Sequence, residues 1–311
     1  MGSAMSEAGR ARAAAQRTAA APRTIAPRRT AAAILIVAML VAVIAAGFGC
    51  ARDNRAFPQL MDSLPRTVGD FTYCDIKSVN SDTDLWDIFD AFEASADARQ
   101  VEDLIQVIAD VHVYARAVSY DNAALAGPAT VFRGDLDMAY LRLQMENRGY
   151  TRSANKSAEV WLPQENSTYT DAVGIRDSAL YLGDSTDVIA CISAAASGDA
   201  LSLWDDPNLK TVADKLPNGI VVSVHRAAAG HGESYTGLVA YGKSYGKANR
   251  DALNVKAVYL FGHDPAARAA QLAIEDHSRS LFDDVTIKTE GNLVVVTARV
   301  PITRFAASLE F

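Results

Sequence analysis

Nineteen consecutive residues without a charge or a strong polar group, Ala31 to Gly49 (AAAILIVAMLVAVIAAGFG), limit the chain more than any other stretch. A helix needs about 20 predominantly apolar residues to cross a bilayer core. Arg10, Arg12, Arg17, Arg23, Arg28 and Arg29 precede the run, against the single acid Glu7. Basic residues close to a span stay on the cytoplasmic side. The expected topology is a cytoplasmic N-terminus in the plasma membrane with everything after residue 50 extracytoplasmic.

The run ends Gly47-Phe48-Gly49-Cys50. A small-residue stretch before a cysteine is the pattern of a bacterial lipobox, although Gly47 stands where such boxes carry an aliphatic residue. Residues 31–49 are therefore either an uncleaved anchor or a lipoprotein signal, with Cys50 the lipidation candidate. The run is longer than the apolar core of an ordinary secretory signal, about 7–15 residues. Residues 1–30, rich in Ala and Arg and without apolar periodicity, read as a disordered cytoplasmic tail, and 50–63 as a tether.

Charge narrows the partners. Of 30 basic and 37 acidic residues, six Arg and one Glu fall in the first 30 positions, leaving 24 against 36, a net of −12 outside. No clustered basic stripe suited to a phosphate backbone is present, so nucleic acid is not an expected partner. The expected partners are the membrane, through the anchor, and an envelope protein or apolar ligand. Beyond the span lie Cys74 and Cys191, an even pair if Cys50 is acylated and a disulfide candidate in an oxidising compartment.

Residues 64–311 alternate short β-prone runs with helical periodicity. Strands are expected at Asp70–Val79, Val111–Ser119, Thr130–Arg133, Ala158–Pro163, Asp171–Arg176, Ala179–Leu182, Ile220–Val224, Tyr235–Tyr241, Val255–Phe261, Val285–Thr289 and Leu293–Arg299. Helices are expected where Leu85, Ile88, Phe89 and Phe92 repeat, over Val101–Ile108, Leu136–Asn147, Thr186–Ala196, Asp206–Lys215 and Pro265–Ile274, and from Pro301 to Leu309. Two units answer one another, 64–205 and 206–311. Leu64-Pro65 before a strand matches Leu216-Pro217 before a strand, and TVFRGDLDMAYLRL matches VYLFGHDPAARAAQL. A strand pair follows each helix, EVWLP in one half and VVVTARVP in the other. The first half carries 24 extra residues before its glycine, which the helices over Leu85–Ala109 account for. The expected fold class is α+β: duplicated antiparallel-sheet units with helices packed on the sheets, preceded by the transmembrane or lipoprotein-signal helix.

Asp177, Leu180, Leu182, Gly183 and Asp184, followed by Asp206, Pro207, Leu209, Lys210, Val212, Leu216 and Pro217, carry a family resemblance over residues 170–226. The strand–turn–helix and the Asp-Pro helix before a Leu-Pro strand resemble a diverse group of bacterial membrane-anchored surface proteins of unknown function. The resemblance implies an extracytoplasmic location and a duplicated α+β architecture. It supplies no catalytic residues.

Two chemical patterns overlap. Gly237-Leu-Val-Ala-Tyr-Gly242-Lys243-Ser244 fits the phosphate-loop spacing, but its variable residues are strand-like and no amphipathic helix follows. Gly242-Lys-Ser244-Tyr-Gly246 fits a nucleophile elbow, with Asp264 and His277 following in the order of a hydrolase triad. The competing account is a connection between strands, which leaves Ser244 as the one nucleophile candidate. His112, His225, His231, His263 and His277 show no zinc spacing. Asp82-x-Asp84 and Asp135-x-Asp137 sit where helices begin and read as caps rather than calcium ligands. No catalytic set, cofactor or metal is expected. The expected function is a non-enzymatic, membrane-tethered binding or interaction module of the envelope. The alternatives are a carrier of a lipid or other apolar ligand, and a serine hydrolase using Ser244.

Overall fold

The computed structural model describes residues 56–62, 64–93, 111–121, 124–153, 159–164, 172–176, 179–184, 202–227 and 235–305. The apolar span, Cys50, Cys191, and the helices expected at 101–108 and 186–196 lie outside the described residues. No helix among the described residues is long and apolar enough to cross a membrane.

Among the described residues, twelve antiparallel strands form one sheet. In chain order they are β1 (Val68–Cys74), β2 (Val111–Asp121), β3 (Ala124–Gly134), β4 (Thr151–Arg152), β5 (Glu159–Leu162), β6 (Ala172–Arg176), β7 (Ala179–Gly183), β8 (Val221–Arg226), β9 (Leu238–Lys247), β10 (Ala252–Phe261), β11 (Asp283–Glu290) and β12 (Leu293–Pro301). Their order in the sheet is β11-β12-β10-β9-β8-β1-β2-β3-β7-β6-β5-β4. The helices are α1 (Ala56–Asp62), α2 (Ile76–Asn80), α3 (Trp86–Glu93), α4 (Met138–Asn147), α5 (Pro207–Lys215) and α6 (Asp264–Leu281). The molecule is thus α+β, a large antiparallel sheet with a few helices. Residues Asp53–Phe311 group as one compact unit.

Strand order repeats. From the centre outward, β1-β2-β3-β7-β6 runs one way and β8-β9-β10-β12-β11 the other, each with a helix (α4, α6) between its third strand and its closing hairpin. The strand that answers VVVTARVP is ALYLG, since β7 pairs with β3 as β12 pairs with β10. EVWLP instead belongs to the outer β4–β5 hairpin, which has no counterpart in the second run. The extra residues of the first half lie between β1 and β2, where α2 and α3 are placed.

Alternation along each strand sends side chains to opposite faces, and each face has its own helices. On one face, Phe57, Leu60 and Met61 of α1 and Leu209, Val212 and Ala213 of α5 pack against Phe71, Tyr73, Ala115, Val131, Val222, Val224 and Val258. The segment after α1 is joined to the one before α5 by Leu203 N–H donating to the Leu64 carbonyl at 2.8 Å. On the opposite face, Ile76, Val79, Ile88, Leu141 and Met145 of α2–α4, with Leu85 just before α3, cover Val111, Phe132, Leu180 and Val221. There α6 lays Ala267, Ala270 and Ile274 on Tyr241, Tyr259, Val294 and Val296. Its alanines at i and i+3, Ala267 and Ala270, let the helix lie close to the bulky sheet, and Ile274 at i+7 continues the same apolar stripe.

The local signals that held are chemical ones. Asp206 caps α5 by accepting from Asn208 N–H at 2.9 Å and Leu209 N–H at 3.1 Å, with Pro207 in the first turn. Gly291 at φ +62 turns the β11–β12 hairpin. Two expectations are corrected. The strand expected to reach Val79 stops at Cys74, because the Asp75 carboxylate accepts from Ser78 N–H at 2.9 Å and starts α2. The strand expected to end at Tyr241 continues to Lys247, so Gly242–Gly246 is strand rather than a connection, and the turn follows at Ala248–Asp251.

Candidate functional site

Strand register builds three rows of side chains across the middle of the face carrying α2, α3, α4 and α6. The inner row is apolar. It runs Phe132, Tyr114, Cys74, Val221, Tyr245, Val255 and Ala298 across β3, β2, β1, β8, β9, β10 and β12. Two residues along each strand, the next row runs Thr130, Arg116, Thr72, Ser223, Lys243 and Ala257. Five of its six members are polar. The third row runs Asp70, His225, Tyr241 and Tyr259.

The polar row is buried at both ends and open at Arg116. Lys243 is 4% exposed, Ser223 5% and Thr130 4%, whereas Thr72 is half-buried and Arg116 exposed. Taking an ammonium group and a hydroxyl out of water into a sheet costs free energy unless polar groups meet them. A row of such groups directly beside an apolar row is therefore a departure from the packing rule of the rest of the face.

Beside it, His225 Nδ1 lies 3.0 Å from Asp70 Oδ1 across the β1–β8 pair. The imidazole stacks on Tyr241 at 4.6 Å between centroids and 19° between planes, and Tyr241 stacks on Tyr259 at 6.2 Å. Carboxylate on one side and aromatic ring on another fix the imidazole's orientation.

Ser244 is placed on the other face. It pairs with Val222 and Lys256 in register, and its buried Oγ donates to the Pro217 carbonyl at 2.8 Å. The sheet itself stands between Ser244 and the Asp70–His225 pair. Gly237 sits in a turn at φ +82, and the residues from Leu238 to Lys247 are strand paired on both sides to β8 and β10. A strand paired on both edges has its amides committed to neighbours, so the phosphate-loop spacing forms no loop. Gly242 instead provides clearance: an added Cβ would lie 2.6 Å from the Ser223 carbonyl oxygen and 2.8 Å from Val212 Cγ1 on α5.

Cys74 is a free thiol, and Cys191, its expected disulfide partner, lies outside the described residues. The Cys74 side chain belongs to the apolar row against α2–α4, where burial first, and the Asp75 charge second, push the thiol up to about 12. A thiol so placed has almost no thiolate at neutral pH and is inert.

One member of each acid pair, Asp82 and Asp137, is a cap. Asp137 accepts from Ala139 and Tyr140 N–H at 3.0 Å. Asp82 accepts from Asp84 N–H at 3.1 Å, and both carboxylates bind Lys247 Nζ. The Lys247 ammonium, chiefly through its hydrogen bond, holds the Asp82 carboxyl below its usual range. His263 caps α6, and His112 lies 3.2 Å from Asp135. His231 lies outside the described residues. Among the described residues no three metal-ligating side chains converge.

No family model matches the sequence, and no curated protein matches it. Among solved structures, the one titled "Structure of crystal form I of TP0453" is similar, with a TM-score of 0.51 and 13% identity. The match covers 80% of this chain and 96% of that one. At this identity the likeness is one of fold: the two share an α+β architecture.

Proposed function

We propose that the protein is a membrane-tethered extracytoplasmic binding module of the cell envelope, built by duplication of a β–β–β–α–β–β unit. The tether is Ala31–Gly49, or a lipid on Cys50 after cleavage, and the N-terminal arginines set the orientation. Duplication accounts for the mirrored strand order about the β1–β8 pair, and for the paired Leu-Pro and strand–Gly–helix passages. The resemblance to anchored bacterial surface proteins over residues 170–226 supports the same reading.

The observation that carries a binding role is the polar row from Arg116 to Lys243. It crosses the junction of the two units, with Thr72 on β1 opposite Ser223 on β8. A site at the junction of duplicated halves is where binding clefts commonly form. The geometry of Ser244 supports binding over hydrolysis, since its hydroxyl is donated to a main-chain carbonyl on the face away from His225.

The reading is tested by expressing the full chain in a bacterium with an epitope after its last residue. Protease added to intact spheroplasts is expected to remove the epitope while a cytoplasmic marker survives. Removal only after lysis overturns the orientation, and recovery of the chain in the soluble fraction overturns the tether.

A further inference from the structure

We propose that the outer stripe of α6, centred on Leu272, is the surface through which two copies of this chain pair, helix against antiparallel helix about a two-fold axis. The proposal goes beyond the binding-module reading and does not depend on it.

The inner side of α6 is taken up by the core, with Ala267, Ala270, Ile274 and Ser278 buried. On its outer side Leu272 is 72% exposed, more than Trp86 at 53% or Leu143 at 52%, the other exposed large hydrophobic side chains among the described residues. Ala269 and Pro265 lie one and two turns before Leu272 on the same side, and both are exposed. A lone exposed leucine is ordinary. A leucine beside a small residue, however, offers a knob and a hollow into which a second helix can settle. Helix axes packed about 8–10 Å apart, less about 2.3 Å of Cα radius on each side, leave the two Leu272 Cα atoms about 3.5–5.5 Å from one another. One helix face is smaller than the roughly 800 Å² per partner of a stable interface, so the pairing is weak and reversible.

The charges on the stripe identify the second helix as another α6. Arg268 and Asp276 stand four residues before and after Leu272, about 6 Å along the axis in either direction. Both are exposed, and among the described residues neither has an ion-pair partner. Their neighbours Glu275 and Arg279 pair with each other at 2.6 Å. An antiparallel copy centred on Leu272 brings each Arg268 level with the Asp276 of the other copy, twice, within reach of the arginine stem. A parallel copy would set Arg268 against Arg268 and Asp276 against Asp276. The order of charge along the helix therefore selects the antiparallel, closed arrangement.

The test is disulfide trapping of the full chain in mild detergent under a gentle oxidant, with covalent dimer read on a non-reducing gel. The expected Leu272 spacing overlaps the Cα separation of about 4.4–6.8 Å that a disulfide spans. Leu272→Cys is therefore expected to trap a dimer about tenfold faster or more than Asp214→Cys, an exposed position on α5 across the sheet, and than the unaltered chain. Arg268→Glu added to Leu272→Cys turns both attractive pairs repulsive and is expected to slow trapping about tenfold, the scale of two surface ion pairs reversed. Asp276→Arg added to that protein exchanges the charges and is expected to restore the rate. Both charge changes suit the helix dipole, an acid toward the N-terminus and a base toward the C-terminus, so the fold is kept. Trapping of Leu272→Cys no faster than of Asp214→Cys, insensitivity to Arg268→Glu, or no restoration by Asp276→Arg each overturns the proposal. None of these results bears on the tether or its orientation, which protease accessibility reads.

Discussion

Gly242→Val is expected to leave the protein unfolded, and Gly242→Ala to lower its unfolding free energy by about 3 kcal/mol, the upper end for overpacking a core. The cause is distance. A Cβ at 242 would lie 2.6 Å from the Ser223 carbonyl oxygen, 2.8 Å from Val212 Cγ1 and 2.9 Å from Leu216 Cδ1. The first contact is with the backbone of the paired strand β8, which cannot retreat without breaking the β8–β9 ladder. The other two belong to α5 and its C-cap, so relief on that side lifts the helix whose Leu209, Val212 and Ala213 complete the core. A domain of this kind has roughly 5–15 kcal/mol to lose in total. Urea unfolding of the full chain followed by tryptophan fluorescence reads the change, and an unaltered midpoint in Gly242→Ala contradicts the packing account.

Asp206→Ala is expected to cost about 2–3 kcal/mol and to reduce the protein's sensitivity to acid. The carboxylate, with 9% of its side chain exposed, accepts from the first-turn amides of α5 and from Arg226 Nη2 at 2.7 Å. Loss of an N-cap costs about 1 kcal/mol. The rest is the desolvated carboxylate's ion pair, discounted because Arg226 is 33% exposed and keeps water when left alone. Burial works against ionisation of Asp206, but the Leu209 and Asn208 amides and Arg226 outweigh it and hold the carboxyl below its usual range. A carboxyl depressed in the folded state contributes stability above its unfolded pKa of about 3.9, and that contribution is lost as pH falls through the folded value. The wild type is therefore expected to lose thermal stability below about pH 4, and Asp206→Asn to lose less over the same interval. Equal acid sensitivity in the two proteins contradicts the assignment. Glu159 adds to the wild-type effect in the same direction, its carboxyl lowered chiefly by the hydrogen bond from Arg142.

What was legible in the sequence was local chemistry. Asp206-Pro207 announced α5, and Glu290-Gly291-Asn292 announced the hairpin, because caps and turns are written within three or four residues. Periodicity found α6 and α4, and the matched strand–Gly–helix passages located the third strand of each half. Two misreadings have one origin. Ile76 and Val79 read as strand residues, yet Asp75 turns the same pair into the buried side of a helix. Glycine signals a turn and a close approach with the same letter. Gly242 serves helix clearance in mid-strand, whereas Gly291 at φ +62 does make a turn.

The site was the least legible part. Asp70 and His225 are 155 positions apart and meet only because β1 pairs with β8 in one register. Ser223, His225, Tyr241 and Lys243 do share a signal, alternate residues on adjacent strands with polar or aromatic groups on one side. That signal becomes a row only once neighbouring strands and their register are known, since a shift of one residue would send each of them to the opposite face. The overlapping phosphate-loop and elbow patterns drew attention to Ser244, one residue from Lys243 and on the wrong side of the sheet.

The claim that the chain is held at the membrane by Ala31–Gly49, or by a lipid on Cys50, is tested most directly by fractionating bacteria that express the full chain and weighing the recovered protein by mass spectrometry. The account predicts recovery with the membranes, either with Ala31–Gly49 still attached or with an acylated Cys50 as the first residue. Recovery in the soluble fraction would contradict it.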